Sequence, residues 1–125
     1  MPLAYWCVLI AALMPIALAA YAKAGSGGDN HNPRDTVASL TGARRRAYAA
    51  HENAFESFPF FAAAVLTATT LGASISTVNI LAALYIVARV VHAALYINDL
   101  ASARSLVFTV GLLLNVAIFV LPAFK

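Results

Sequence analysis

The chain has 125 residues, of which 62% are hydrophobic and only 10% are charged, and its formal net charge is +3. Soluble domains carry about 25% charged residues, and so short a chain cannot bury this much apolar surface in one water-soluble core. We therefore predict an integral membrane protein with a single domain, residues 1–125. The basic charge then indicates membrane topology. Nucleic-acid binding is not predicted, because aromatic and basic residues do not alternate.

Four apolar segments predict four membrane-spanning helices, at about residues 3–22, 54–72, 78–96 and 105–124. About 20 apolar residues suffice to cross the hydrocarbon core as a helix. The first segment is uncharged and starts with the interfacial aromatic residues Tyr5 and Trp6. A secretory signal peptide is the alternative, but the segment lacks a positively charged start and exceeds the usual length of such an apolar core. The predicted fold class is an all-α four-helix membrane bundle.

The stretch over residues 23–41 combines Gly, Ser, Asn, Asp and Pro, and it is predicted to be a loop. The second helix is predicted to begin between Thr36 and Ala43 and to continue to about Leu71, beyond its membrane-embedded part. A polar turn is predicted over residues 98–104. The candidate starts of the second helix are Asp35-Thr36 and Thr41-Gly42, and the candidate caps of the third are Ser76 and Thr77.

The distribution of Lys and Arg predicts the orientation in the membrane. One side carries Arg104 and the five basic residues of the first loop and its helical extension: Lys23, Arg34, Arg44, Arg45 and Arg46. The opposite side carries only Lys125. The positive-inside rule places both termini outside the cytoplasm. The alanine-rich composition suggests a multi-pass protein of a bacterial inner membrane.

One face of the second helix is marked by Arg46, Ala49, Asn53, Glu56 and Phe60, which recur at intervals of three and four residues. Polar side chains within membrane helices are costly and are candidates for function. Two interpretations stay open. Asn53 and Glu56 either connect helices structurally or bind a polar ligand near the membrane interface.

Tyr85, Arg89, His92 and Tyr96 share one face of the third helix. Arg89 lies within the span and requires an anion, and Glu56 is the one carboxylate at a comparable depth. A Glu56–Arg89 ion pair is therefore predicted. His92 is an acid, a base or a hydrogen-bonding core residue, and Tyr96 is an interface anchor or a ligand contact.

Arg104 and Ser105 lie at the start of the fourth span. Arg104 is either a positive anchor or a group that binds a carboxylate or stabilises a thiolate. Ser105 either donates a hydrogen bond to the same sulfur or caps the helix. Asn115 is interpreted as an interhelical hydrogen-bonding residue. No metal site is predicted, since His31, His51 and His92 are scattered, and the single Cys7 cannot form an internal disulfide.

Two runs and one pair of residues resemble the family of membrane-associated proteins in eicosanoid and glutathione metabolism (MAPEG). The run AHENAFESFPFF, residues 50–61, resembles the second-helix signature Arg-Ala-His/Gln-x-Asn-x-x-Glu-x-x-Pro. RVVHAALY, residues 89–96, is similar to the third helix of the microsomal prostaglandin E synthase branch, and Arg104-Ser105 follows a short turn. The likeness covers essentially the whole chain. Ala49 stands where the signature has arginine, and Arg46, one turn earlier on the same face, is the candidate substitute.

The resemblance implies a homotrimer of four-helix subunits, with glutathione bound between neighbouring subunits near the cytoplasmic side. It implies that a lipophilic electrophile or hydroperoxide reaches the sulfur from the surrounding membrane lipids. Asn53 and Glu56 match the residues that hold glutathione, and Arg89 matches an arginine that pairs within the subunit. His92 and Tyr96 match residues lining the site, and Arg104 matches the arginine that stabilises the thiolate.

The predicted function is that of a glutathione-dependent transferase or peroxidase acting on lipophilic substrates. In this interpretation Arg104 and Ser105 are catalytic, and glutathione is bound by Arg46, Asn53, Glu56, His92 and Tyr96. A non-catalytic lipid-binding or scaffold protein of the same fold is the first alternative, because fold does not determine activity. A small multidrug-type transporter is the second, and it is disfavoured because the first segment carries no charge.

Overall fold

The structure, a computed structural model, describes residues 1–28 and 30–124. Within this part of the chain there are helices and no strands, which confirms the all-α prediction. Asp29, in the predicted loop, and Lys125, which contributed to the predicted orientation, lie outside the described residues. The elements are α1 Leu3–Lys23, α2 Pro33–Ala38, α3 Gly42–Thr70, α4 Ile75–Ile97, α5 Ala101–Val120 and a final 3-10 turn Leu121–Phe124.

The four long helices run up and down as an antiparallel bundle. Helices α3 and α4 pack against each other at its centre, with α1 and α5 packed on either side of them. At one end of the bundle, a hydrogen bond of 3.1 Å joins Tyr5 Oη near the start of α1 to Thr69 Oγ1 near the end of α3. Consecutive helices therefore point in opposite directions, and the C-terminal end of α4 lies beside the first turns of α3 and α5.

The core combines a few large side chains with many alanines. The stacked rings of Phe61 and Tyr85 lie at its centre, with 4.1 Å between ring centroids and an angle of 20° between ring planes. Fully or almost fully buried alanines surround them on three helices, including Ala4, Ala64 and Ala82. Small residues allow helix backbones to approach closely, which is a common basis of helix packing in membranes.

The outer surface of the bundle is apolar, as expected for contact with lipid. Large hydrophobic side chains such as Ile16, Ile80 and Leu113 are each about 60% exposed. Within residues 1–28 and 30–124, three helical segments are long and apolar enough to cross a membrane: Leu3–Lys23, Ile75–Ile97 and Ala101–Phe124. Helix α3 is not among them, since Asn53, Glu56 and its threonines reduce its hydropathy.

The loop before α3 contains a short helix that the sequence analysis did not predict. Helix α2 begins at Pro33, and proline favours the first turn of a helix because its missing N–H would have no partner there. Asp35 and Thr36 lie inside α2, so their predicted role as the start of the second long helix is wrong. Helix α3 begins at the alternative signal, directly after Thr41.

The turn between α3 and α4 is shorter than predicted. Gly72 adopts a φ of +77°, in the left-handed region that glycine accepts without steric cost. The N–H groups of Gly72 and Ala73 donate hydrogen bonds to the carbonyl groups of Thr69 and Ala68, which is a Schellman motif. Helix α4 consequently begins at Ile75, and Ser76 and Thr77 lie inside it, so their predicted role as caps is wrong.

A second Schellman motif ends α4 and shortens the predicted polar turn. Asp99 N–H donates to the Tyr96 carbonyl at 3.2 Å, and Leu100 N–H donates to the Leu95 carbonyl at 3.0 Å. Asp99 takes the left-handed position with a φ of 60°, which glycine or asparagine more often occupies. Helix α5 therefore begins at Ala101, and Arg104 lies in its first turn.

Three helix ends are capped by side chains of other helices. Asn79 Oδ1 of α4 accepts a hydrogen bond of 2.9 Å from Ala4 N–H at the start of α1. Arg44 Nη1 donates to the Tyr21 carbonyl at the end of α1, and Arg46 Nε donates to the Ile97 carbonyl at the end of α4. These contacts satisfy terminal backbone groups and place positive charge at helix C-termini, where the helix dipole favours it.

We predict that Asn79→Ala lowers the free energy of unfolding by about 1 kcal/mol, the usual cost of losing a helix N-cap. Asn79→Asp keeps an oxygen acceptor at the N-terminus of α1 and should lower the free energy of unfolding by less. Thermal unfolding in detergent micelles, followed by circular dichroism, measures both variants. Equal losses in the two variants would contradict the proposed cap.

We predict that Asp99→Gly raises the free energy of unfolding by up to about 1 kcal/mol, since glycine adopts a positive φ without the steric cost of a Cβ atom. Asp99→Ala should lower it, because alanine retains the Cβ and lacks the short polar side chain. The same unfolding measurement compares them. A loss of stability in Asp99→Gly would show that the aspartate side chain stabilises the turn.

Candidate functional site

Two cavities lie side by side between α3, α4 and α5. The one nearer the C-terminal end of α4, here called the terminal cavity, has a volume of about 340 Å³. It is shaped by the first turns of α5 packing against the last turns of α4. Its wall consists of Asn53, His92, Tyr96, Arg104, Ser105, Phe108 and Thr109.

The second, here called the inner cavity, lies farther along the helices and has a volume of about 210 Å³. It shares Asn53 and Phe108 with the terminal cavity, so the two adjoin there. Its wall mixes polar and aromatic groups: Asn53, Glu56, Ser57, Phe60, Tyr85, Arg89, Phe108, Gly111, Leu112 and Asn115.

Most of the predicted site residues lie in the wall of the terminal cavity. Five of the seven do so: Asn53, His92, Tyr96, Arg104 and Ser105. Glu56 lies in the wall of the inner cavity, whereas Arg46 and Ala49 are in neither wall. Arg46 instead bonds to the last carbonyl of α4, as described above.

Arg104 is held at the terminal cavity by the ring of Tyr96. Its guanidinium carbon lies 4.4 Å from the Tyr96 ring centroid, a cation–π contact. No carboxylate lies within ion-pair distance of Arg104 among the described residues. Ser105 is exposed beside it, and because Ser105 already lies within α5, its alternative role as a helix cap is wrong. The cation therefore remains available to an anionic ligand.

His92 brings an unmatched polar atom to the same wall. The residue is only 3% exposed, and its ring contacts those of Tyr96 and Phe108 at centroid distances of 5.8 and 6.0 Å. Within residues 1–28 and 30–124, its Nδ1 atom has no hydrogen-bond partner. Buried polar groups are nearly always paired, so this atom is expected to bond to a ligand or to water.

The predicted Glu56–Arg89 ion pair is wrong in the described structure. Arg89 is 5% exposed, and its Nη2 donates a hydrogen bond of 2.8 Å to Asn53 Oδ1. No carboxylate of the described residues lies within 4.0 Å of it. Asn53 lies one turn before Glu56 on the same face of α3. Its neutral carboxamide, and not the Glu56 carboxylate, contacts the Arg89 guanidinium. Glu56 is exposed.

Asn115 of α5 is 3% exposed and lies in the wall of the inner cavity. Its Oδ1 atom has no hydrogen-bond partner among the described residues. The Asn115 side chain does hydrogen-bond to that of Tyr85 on α4, which is the interhelical role predicted for Asn115. An unpaired buried oxygen typically costs about 1 to 3 kcal/mol. The inner cavity thus also contains an unmatched polar atom.

The sequence analysis missed several wall residues on α5. Phe108 belongs to both cavities, Gly111 to the inner one and Thr109 to the terminal one. A signal for them existed, because Arg104, Phe108, Gly111 and Asn115 recur at intervals of four, three and four residues and so share one helical face. Their uncharged side chains did not stand out from the rest of an apolar segment, so they were not predicted as site residues.

The two cavities differ in charge. Of the residues that the structure describes, Arg104 is the one charged side chain in the wall of the terminal cavity, whereas the inner cavity has both Arg89 and Glu56. In the part of the chain that the structure describes, no three His, Cys, Asp or Glu side chains are grouped as a metal site requires. The positive charge of Arg104 suits an anionic ligand at the terminal cavity.

Comparison with known proteins identifies the family. A model of the MAPEG family matches residues 3–124, which include all five helices. Comparisons with curated proteins and with solved structures found no match. The long family match agrees with the bundle of apolar helices and with the polar faces of α3 and α4. The chain is therefore a membrane-embedded member of the MAPEG family.

Proposed function

We propose that the chain is a glutathione-dependent transferase or peroxidase that acts on lipophilic substrates at the membrane. One observation carries the proposal. Five residues chosen from three separate sequence segments lie in the wall of a single cavity, to which the described residues contribute one cation and no carboxylate. Membership of a family associated with glutathione metabolism supports the choice of ligand.

The groups of the terminal cavity match the chemistry of glutathione, which has two carboxylates, two amides and a thiol. Arg104 offers a guanidinium for a carboxylate or thiolate, and Ser105 offers a hydroxyl donor. Asn53 retains its Nδ2 donors, because Arg89 occupies its Oδ1. His92 Nδ1 is unpaired, and the rim carries the Tyr96 hydroxyl. Glu56, at the adjoining inner cavity, would accept hydrogen bonds from the ammonium group.

Arg104 and Ser105 are the proposed catalytic residues. The thiolate of bound glutathione would attack an electrophilic carbon and form a C–S bond as the leaving group departs with the bonding electron pair. With a hydroperoxide it would attack the terminal oxygen, break the O–O bond and release an alcohol, and a second glutathione would convert the resulting sulfenic acid to the disulfide and water. A free thiol with a pKa of about 8.5 is mostly protonated at neutral pH, and a neighbouring cation favours its ionised form. Arg104 would provide that positive charge, held in place by Tyr96, and Ser105 would donate a hydrogen bond to the sulfur.

Arg46 has a positioning role in this proposal. Its bond to the Ile97 carbonyl connects the start of α3 to the end of α4, one residue beyond Tyr96. Breaking this bond would shift the two helices whose side chains form the cavity wall. The remaining N–H groups of Arg46 would also bind glutathione directly. They would take the role of the arginine in the family signature, whose position Ala49 occupies here.

We further propose that α3 is the fourth membrane span and that three copies of the chain form a homotrimer. Both cavities are open on one side, which a neighbouring copy would cover. The basic residues near the terminal cavity place it at the cytoplasmic face under the positive-inside rule, with both termini on the opposite side. A bacterial inner membrane suits this orientation.

A non-catalytic lipid-binding or scaffold protein of the same fold is the alternative. Ala49 favours it, because a cationic side chain present in the family signature is missing and Arg46 does not lie in the wall of either cavity. In this alternative the polar groups of the cavities would have structural roles, and glutathione would not bind at millimolar concentration.

Calorimetric titration of glutathione into the detergent-solubilised protein tests the proposal. Arg104→Ala and Asn53→Ala should each raise Kd by about tenfold or more, because a lost hydrogen bond to a charged group costs about 1.5 to 3 kcal/mol. Arg45→Ala is the matched control, since Arg45 is half exposed, pairs with Glu52 at 3.8 Å and lies outside both cavities.

The expected control result is an unchanged Kd. Unfolding midpoints of all variants are measured together, because Asn53→Ala also removes the hydrogen bond to Arg89. The absence of binding by the unsubstituted protein at several millimolar glutathione would overturn the proposal in favour of the lipid-binding alternative.

Ionisation of the bound thiol tests the role of Arg104 separately. We predict that thiolate absorbance of the protein–glutathione complex develops at higher pH in Arg104→Ala and at an intermediate pH in Arg104→Lys, which keeps the charge without the planar guanidinium. Ultraviolet difference spectra at saturating glutathione measure this. Identical titration curves in the three proteins would exclude thiol activation by Arg104.

A further inference from the structure

Two cations meet where the end of α1 packs against the start of α3. Arg44 Nη1 donates hydrogen bonds to the Tyr21 and Ala22 carbonyls, at 3.1 and 3.5 Å. Lys23 follows Ala22 directly in the chain. Its Nζ lies 5.8 Å from the centroid of the Tyr48 ring, and Tyr48 lies one turn after Arg44 on α3. The positive charges of Lys23 and Arg44 therefore lie at the same contact between the two helices.

The described part of the chain does not balance these two charges. None of its carboxylates lies within 4.0 Å of Lys23 or Arg44. The backbone dipole of α1 contributes the equivalent of about half a negative charge at its C-terminal end, which offsets only part of two positive charges. Arg44 keeps its Nε and Nη2 donors for a ligand, and the Lys23 ammonium contacts only an aromatic face. An anion is therefore the complement that this contact lacks.

The surface beside the two cations changes from basic to aromatic along α3. The ring of Tyr48 contacts that of His51 with 4.9 Å between centroids, and His51 contacts Phe55 at 5.6 Å. His51 Nδ1 donates a hydrogen bond of 2.7 Å to the Pro15 carbonyl, about two turns before the end of α1. The aromatic series therefore follows the α1–α3 contact into the bundle, and it ends on Phe55, which is 57% exposed.

The depth of this surface fits the head group of a lipid. Helix α1 has 21 residues, and at 1.5 Å per residue it spans roughly the 30 Å of the hydrocarbon core. Lys23, its last residue, is then at the level of the lipid phosphates, and the half-exposed Tyr21 is at the level of the interfacial aromatic belt. Basic sites between membrane helices bind anionic lipid head groups.

We infer that the α1–α3 contact binds an anionic phospholipid of the adjacent leaflet. Lys23 and Arg44 hold the phosphodiester, and an acyl chain lies along His51 and Phe55. A free phosphate ion would use the cations but not the aromatic series, and the cationic head group of a choline lipid would be repelled by the two basic residues. The inference is independent of the proposed function, because none of these four residues lies in the wall of either cavity.

Native mass spectrometry of the detergent-solubilised protein, without glutathione, tests the inference. The protein is titrated with phosphatidylglycerol and, separately, with phosphatidylcholine that has the same acyl chains. The quantity measured is the Kd of the first bound lipid. We expect phosphatidylglycerol to bind at least about fivefold more tightly, as the contribution of one basic residue at an anionic membrane surface implies.

Lys23→Gln and Arg44→Gln should each raise the Kd for phosphatidylglycerol by about fivefold. Arg45→Gln is the matched control and should leave this Kd unchanged. It removes the same charge from the same turn of α3, but Arg45 pairs with Glu52 at 3.8 Å. Unfolding midpoints are measured together, because Arg44→Gln also removes the hydrogen bonds to the end of α1. Lys23→Gln removes no such bond and keeps the test decisive if Arg44→Gln unfolds.

Three results would overturn the inference. Equal Kd values for the two lipids would indicate a surface covered by a second copy of the chain or by lipid of any head group. Equal losses in all three variants would indicate a diffuse basic surface in place of a site. Glycerol phosphate, a head group without acyl chains, should not displace the lipid even in large excess, and displacement would assign the cations to a soluble phosphate.

Discussion

The guanidinium of Arg89 is almost wholly buried inside an apolar helix bundle, and the polar organisation of the site depends on that constraint. A buried charge is stable only with strong hydrogen-bonding partners. The described chain supplies one, the Asn53 carboxamide, and no carboxylate within ion-pair distance. Asn53 is thereby held at the boundary between the two cavities. Its Oδ1 accepts the hydrogen bond from Arg89, and its Nδ2 remains able to donate to a ligand. Glu56 keeps its charge free for other contacts.

This arrangement divides one polar region into two chemically different parts. The terminal cavity has a cation held by an aromatic ring and an unpaired imidazole nitrogen. The inner cavity has balanced charges and an apolar rim. The terminal cavity therefore suits an anion, whereas the inner cavity, with one charge of each sign, suits a ligand group of neither charge in particular. The two cavities adjoin at Asn53 and Phe108.

The architecture was largely predictable because long apolar segments have few alternative structures in a membrane. The spacing of Asn53, Glu56, His92 and Tyr96 indicated which faces of α3 and α4 line the two cavities, and their role in binding stays a prediction. The sequence analysis misjudged the starts of α4 and α5, since the Schellman motifs at Gly72 and Asp99 depend on backbone conformation rather than on a distinctive pattern. It also paired Arg89 with Glu56 on the basis of charge alone. Arg89 instead donates a hydrogen bond to Asn53, one helical turn before Glu56. Sequence spacing does not show which of two residues one turn apart a side chain contacts.

The caps at the two ends of α1 have a consequence for biogenesis. Helix α1 leaves the ribosome first, yet its N-terminal partner Asn79 and its C-terminal partner Arg44 lie 75 and 22 to 23 residues later in the chain. A nascent chain that has inserted only α1 leaves these backbone groups to lipid head groups, water or an insertion factor. The first helix can therefore enter the membrane early, but it reaches its final depth and tilt only when the third long helix has been synthesised. Placement of the first helix thus depends on a residue of the third long helix and precedes the addition of α5.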